Sequence, residues 1–279
     1  MRRSGRWFDR KEPRWPASTL LLALAAVAGA LAASKATYYV SVGDSLAQGY
    51  QPIGGPFSAL GVEGYAQGYA NQLFKAVRDR YEQLRLVKLG CGGETTLSMV
   101  LGAPQCSFPA GSQLAQAEAF LSSHRGEIAF ITIDIGPNDF FQYPDQAVAT
   151  VLTYLPQILA RLRAAAPNVP ILGMSFYGVG LPGVWNDTHS VAALQAYLAQ
   201  LDAFNGLFEG IYAAAGIPVA DVDGAFQVTD MTLVDGTPLN VLRECQWTWI
   251  CAPPPHGPDI HANTDGYGVI ARTFEELLP

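Results

Sequence analysis

The sequence predicts an α/β domain built in three layers, α/β/α, around a parallel sheet of five strands. Two observations carry that expectation. After about residue 37, short runs rich in β-branched and aromatic residues alternate with longer stretches of helical periodicity, the pattern of repeated βαβ units. A chain of 279 residues that is 49% hydrophobic and 15% charged can also bury one sizeable core in a single domain.

Taken in order, the strands are expected at Tyr38 to Val42, Leu84 to Leu89, Ile128 to Ile135, Val169 to Phe176 and Ile217 to Val222. The helices between and after them are expected near 65–80, 112–124, 146–166, 190–214 and 266–277. Leu152, Leu155, Ile158, Leu159 and Leu162 recur at helical spacing, which predicts one apolar face laid on the sheet. Residues 223–260 fit neither pattern. With two tryptophans, two cysteines and the run Pro253-Pro254-Pro255, this stretch is expected to be an ordered loop that positions His261.

Residues 1–36 read as a leader and 37–279 as the functional domain. Arg2, Arg3, Arg6, Arg10, Lys11 and Arg14 face only Asp9 and Glu12, and precede the uncharged stretch Ala17 to Ala33. That stretch is short for a spanning helix of about 20 residues and suits the apolar region of a signal peptide, with Ala28-Gly29-Ala30 as a cleavage site. Cleaved export is the expectation, and a membrane tether through residues 17–33 is its alternative. Localisation is then extracellular, or on the outer face of the membrane.

The net charge of −7 is concentrated in the body of the chain once the basic leader is set apart. An acidic body repels phosphate backbones, so no nucleic-acid partner is expected. Cys91, Cys106, Cys245 and Cys251 fall into two sequence-local pairs, and export would expose them to oxidising conditions. Disulfides Cys91–Cys106 and Cys245–Cys251 are therefore expected in preference to a zinc site, whose usual spacings are missing.

The chemistry-bearing residues lie at strand ends. Ser45 follows the first strand, where open α/β sheets place their reactive groups. Gly90 to Thr95 and Gly136 to Asp139 follow the next two, and His261 stands far downstream in Pro258-Asp259-Ile260-His261. A serine hydroxyl needs a neighbouring base that titrates near neutrality, and histidine supplies one. His261 is preferred to His124, His189 and His256, which sit at helix ends or in the proline-rich loop.

Gly43-Asp44-Ser45-Leu46, Gly93-Glu94-Thr95, Gly136-Pro137-Asn138-Asp139 and the His261 block together resemble the four sequence blocks of the SGNH (GDSL) hydrolases, over about residues 40–279. The resemblance implies a flavodoxin-like sheet of the SGNH type. It implies Ser45 as nucleophile, His261 as general base, and Ser45, Gly93 and Asn138 as oxyanion donors. Asp44 and Asp139 are expected to brace their turns by hydrogen bonding.

One position departs from the family pattern, which has an acid three residues before the histidine. That place holds Pro258, and Asp259 is only two before. A backbone carbonyl can accept the Nδ1 proton as a carboxylate does, with less stabilisation of the imidazolium. Asp259, the carbonyl of Pro258 or a neighbour, and Asp265 all remain open, with the carbonyl placed ahead and Asp259→Asn expected to be mild.

Two rival motifs carry less. Gly178 to Gly183 satisfies G-x-G-x-x-G but follows the fourth strand, with Pro182 before the last glycine and no immediate helix expected. His256, Asp259 and His261 match no metal-ligand spacing. The sequence reading is thus an exported, monomeric serine esterase or lipase that hydrolyses carboxylic esters through an acyl-serine. It needs no cofactor and no metal. The substrate is a small-molecule ester, a lipid or an acylated sugar, with 245–255 and Pro52 to Tyr65 expected to line the pocket. A catalytically silent surface or carbohydrate-binding module on the same fold is the alternative from another class.

Overall fold

The computed structural model describes residues 37–52 and 65–279. The leader expected over 1–36, with its cleavage site and tether, lies outside the described residues, as do residues 53–64. The first strand, β1 (Tyr38–Gly43), leads into α1 (Ser45–Gln48) and α2 (Tyr69–Val77), and β2 (Arg85–Lys88) follows. Next come α3 (Thr96–Leu101), α4 (Gln113–Ser123), β3 (Ile128–Asp134), α5 (Pro137–Gln142), α6 (Ala147–Ala165) and β4 (Ile171–Met174). The chain continues through α7 (Leu181–Thr188), α8 (Val191–Ala214), β5 (Val219–Ala220) and α9 (Val222–Ala225). It ends with β6 (Leu233–Val234), β7 (Thr237–Pro238), α10 (Leu239–Trp247), β8 (Thr248–Trp249), β9 (Asp259–Ala262) and α11 (Thr264–Glu276).

The five principal strands form one parallel sheet in the order β2-β1-β3-β4-β5. A strand sealed on both faces reads as a continuous apolar run, and β1 is buried from Tyr39 onward. The crossover from β1 to β2 moves toward one edge, while those from β3 to β4 and β5 move toward the other. With right-handed crossovers their helices fall on opposite faces, which makes three layers. On one face Tyr69 of α2 stacks on Phe274 of α11 at 5.1 Å. The direction of travel reverses between β1 and β3, and that switch point opens a crevice at the strands' carboxyl ends.

α6 buries Val151, Leu155, Ile158, Leu159 and Leu162. Leu152, expected on that face, is 53% exposed. It lies about 100° around the helix from Val151, at the flank of the stripe. The stretch expected as loop over 223–260 contains α9, α10 and two small antiparallel pairings, β6 with β7 and β8 with β9. Disulfides join Cys91 to Cys106 and Cys245 to Cys251, with Cα atoms 5.9 and 5.0 Å apart.

A helix does begin within the glycine-rich segment 178–183, at Leu181, contrary to the sequence expectation. Pro182 lies in the first turn of α7, where a missing N–H costs nothing. The start of that helix is already filled: Gly180 and Leu181 donate their N–H groups to the Glu244 carboxyl of α10 at 2.7 and 2.9 Å. A phosphate would compete with a built-in acid there, which argues against dinucleotide binding by this segment.

Burial pushes the Glu244 carboxyl up to about 8, against the pull of those two N–H groups. A carboxyl raised in the folded state binds its proton more tightly there than in the unfolded chain. Its contribution to stability is complete below the ordinary carboxyl range and is lost as pH rises toward about 8. The difference in melting temperature between wild type and Glu244→Gln should therefore shift in the variant's favour between pH 5 and pH 8. Thermal melts across that range check this, and a constant difference would refute it.

Candidate active site

Ser45 opens α1 because the chain must leave β1 in a sharp turn. Gly43 adopts φ +140°, and a Cβ there would lie 1.7 Å from Asp134 Oδ1, so the position admits only glycine. Asp44 then caps α1, its Oδ1 accepting the Leu46 N–H at 2.9 Å. On the other side the buried Gln113 takes both backbone groups of Gly43. Its Oε1 accepts the Gly43 N–H at 2.7 Å and its Nε2 donates to the Gly43 carbonyl at 2.8 Å. The same Nε2 is 3.1 Å from Glu94 Oε2. Sequence reasoning missed Gln113, which follows the helix cap Ser112 and looks like any polar first-turn residue.

The histidine arrives on a strand. β9 pairs with β8, and side chains two apart on a strand share a face. Asp259 and His261 therefore stand side by side. His261 Nε2 lies 2.8 Å from Ser45 Oγ, and Nδ1 lies 2.7 Å from Asp259 Oδ1. Asp259 Oδ1 also accepts the backbone N–H of His261 at 2.9 Å. The carbonyl near Pro258, placed ahead of Asp259 on sequence grounds, is not the Nδ1 partner, and Asp265 is exposed in the first turn of α11. The strand geometry is the reason, since an acid two residues before the histidine reaches its ring where one three before would point to the opposite face.

The electrostatics separate Asp259 from the other acids nearby. Burial pushes the carboxyls of Asp44, Glu94, Asp134 and Asp139 up, and repulsion from Asp44 raises Asp134 further. Burial pushes Asp259 up as well, but its bonds to the His261 ring and N–H outweigh that and hold it below the usual range. Asp259 is thus the acid kept ionised beside the imidazole, where an imidazolium would form. The His261 ring also packs at 4.6 Å from that of Tyr50. Trp249 Nε1 donates to Gln51 Oε1 at 3.2 Å, and Tyr267 Oη to the Tyr50 carbonyl at 2.7 Å. These contacts latch the β9 region to the segment that comes after Ser45.

Asn138 sits in the first turn of α5, beyond β3. Its Nδ2 donates to Asp44 Oδ2 at 3.2 Å and to the Glu94 carbonyl at 3.0 Å. Both partners are acceptors, so they fix which end of the amide turns inward. Asp139 braces the turn by accepting the Thr96 N–H at 2.8 Å and its hydroxyl at 2.7 Å. Gly93 is left-handed at φ +76°, and its carbonyl accepts from Gln142 Nε2 at 2.7 Å. Ser45, Gly93, Asn138 and His261 all line one cavity of about 840 Å³.

The other histidines are occupied elsewhere. His124 stacks on Phe120 at 4.1 Å, His189 lies 5.5 Å from Trp185, and His256 lies 5.9 Å from Trp249. Residues 245–255, expected to line the pocket, do not reach the cavity, and most of Pro52 to Tyr65 lies outside the described residues. The wall is built instead by α5, α8 and the segment after β4.

A sequence model of the GDSL-like lipase/acylhydrolase family matches residues 41–269. No curated protein sequence matches the chain. Among solved structures, the extracellular lipase of Streptomyces rimosus aligns with TM-score 0.55 and 18% identity over 86% of this chain and 99% of its own. An α/β hydrolase from the metagenome of Lake Arreo aligns with TM-score 0.53 and 18% identity, over 87% and 95%. A variant of an acetyl xylan esterase from Geobacillus stearothermophilus aligns with TM-score 0.53 and 16% identity, over 86% and 93%. At these identities the likeness is one of fold.

If the Asp259 carboxylate orients the imidazole, Asp259→Asn should favour the wrong tautomer and lower kcat by roughly 10³ to 10⁴-fold in folded protein. This reverses the mild outcome expected from sequence. Steady-state kinetics decide it, and a loss below about tenfold would return the role to a carbonyl.

Proposed function

The chain belongs to the GDSL-like lipase/acylhydrolase family and is a carboxylic ester hydrolase, and we propose that it acts through an acyl intermediate on Ser45. The observation that carries the proposal is the line from Asp259 through His261 to Ser45 Oγ, in contacts of 2.7 and 2.8 Å. His261 Nε2 takes the Ser45 proton as Oγ attacks the ester carbonyl. Negative charge moves to the carbonyl oxygen, where the Ser45 and Gly93 N–H groups and Asn138 Nδ2 donate to it. Each well-placed donor in such a site is worth about 3 kcal/mol. The longer Asn138 contact, to Asp44, is the one the oxyanion would replace.

Collapse of the tetrahedral adduct breaks the bond to the alcohol, which leaves with the proton held on Nε2. Water then attacks the acyl-serine with His261 again as base, releasing the acid and restoring Ser45. Asp259 stays ionised throughout and stabilises the imidazolium.

The proposal includes export. The basic leader with its apolar stretch and the two disulfides support it, since such bonds persist in oxidising compartments. Among the described residues no helix is long and apolar enough to cross a membrane. A leader over 1–36 and a catalytic domain over 37–279 remain the proposed division.

Ser45→Ala removes the nucleophile without touching the buried core. Turnover of p-nitrophenyl esters should fall by about 10⁴-fold or more while the melting profile is kept. Activity within tenfold of wild type would sink the assignment.

A further inference from the structure

The reacting groups occupy only part of their cavity. Beyond them the wall is made by Phe140, Phe176, Val179, Tyr197, Leu201 and Phe204. The phenylalanines form a packed set, with Phe204 4.9 Å from Phe140 and 5.8 Å from Phe176, both edge to face. Phe208 closes it from behind, 5.3 Å from Phe176 and 4.9 Å from Phe204. Rings locked in this way make a preformed apolar slot.

The tyrosine hydroxyls on this wall are already engaged. Tyr197 Oη donates to the Val179 carbonyl at 3.2 Å, and Tyr177 Oη to the Ile260 carbonyl at 3.1 Å. Gln200 lines the cavity but belongs to the exposed side of α8. A sugar ring placed here would bury hydroxyls without partners, which is costly. An alkyl chain has no such groups to satisfy. An acetyl group would leave most of about 840 Å³ unfilled.

The leaving alcohol must lie toward His261 Nε2, which returns the proton to it. Phe140 belongs to the same helix as Asn138, which sets that end of the slot beside the oxyanion donor; with the alcohol directed to His261, the acyl chain is the substituent left to enter the slot. We propose that Phe140, Phe176, Leu201 and Phe204 form an acyl-chain subsite, and that the preferred substrates carry alkyl acyl groups of octanoyl length or more. This deepens the esterase reading and rests on it.

Remote apolar contacts raise kcat/KM when they are kept in the transition state. Burial of one methylene is worth roughly fourfold, so six fully buried methylenes set a ceiling of about 4,000-fold, and with burial of about half of that length kcat/KM for p-nitrophenyl octanoate should exceed that for the acetate by on the order of a hundredfold. Lengthening the alcohol of an acetate from ethyl to octyl should give no comparable gain. Leu201→Trp should fill the slot and cut the octanoate-to-acetate ratio by about tenfold or more. Phe204→Ala should enlarge it and raise laurate relative to octanoate.

The wild-type panel alone decides the proposal, so a variant that fails to fold removes no outcome. Acetate turned over as fast as octanoate, or a gain that tracks the alcohol instead, would overturn the subsite and leave the esterase standing. No turnover of any ester would overturn both.

Discussion

The close approach of β1 and β3 at their carboxyl ends governs the rest of the site. Where Gly43 passes Asp134, any side chain at position 43 would overlap both the carboxyl and the carbonyl of that residue. The chain must leave β1 through a glycine with positive φ, and the residue two further on then opens a helical turn at the sheet's switch point. Gln113 secures the turn from one side and Asp44 from within. Asp44 also receives the Asn138 amide, so the donor that would turn to the oxyanion is kept, in the resting site, against the turn that presents the serine hydroxyl. One steric constraint thereby couples the positions of Ser45 and Asn138 through a few hydrogen bonds.

The second dependence runs through β9. A two-residue period places Asp259 and His261 on one face, so a carboxylate reaches the ring from position 259 although position 258 holds proline. Burial raises the acids around Ser45, while Asp259, bonded to the ring and N–H of His261, is held down. An ionised acid in a half-buried site is costly unless paired, and the imidazole is its partner.

Much of this was legible in the sequence because parallel strands sealed on both faces carry continuous apolar runs, and the long helices carry a stripe. The five strands and the longer helices fall where those patterns place them. Short elements were hidden. α3, α5 and α7 are each set by a cap or a first-turn proline more than by periodicity, and α10 begins after Pro238 within an otherwise unpatterned stretch. The strand at Asp259–Ala262 was equally silent, since four residues carry no readable alternation. Missing it is what put the carbonyl ahead of Asp259. Gln113 and the phenylalanine wall escaped for a different reason: their roles depend on contacts between elements far apart in sequence, which no local pattern encodes.

The central claim is that Ser45, activated by His261, is the group that attacks. The most direct measurement is peptide mass spectrometry after treatment with an organophosphonate, which forms a stable adduct only with an activated nucleophile. The account predicts one adduct per chain, on the peptide carrying Ser45, and its loss in folded His261→Ala. An adduct on another residue, or full labelling of Ser45 without His261, would contradict it.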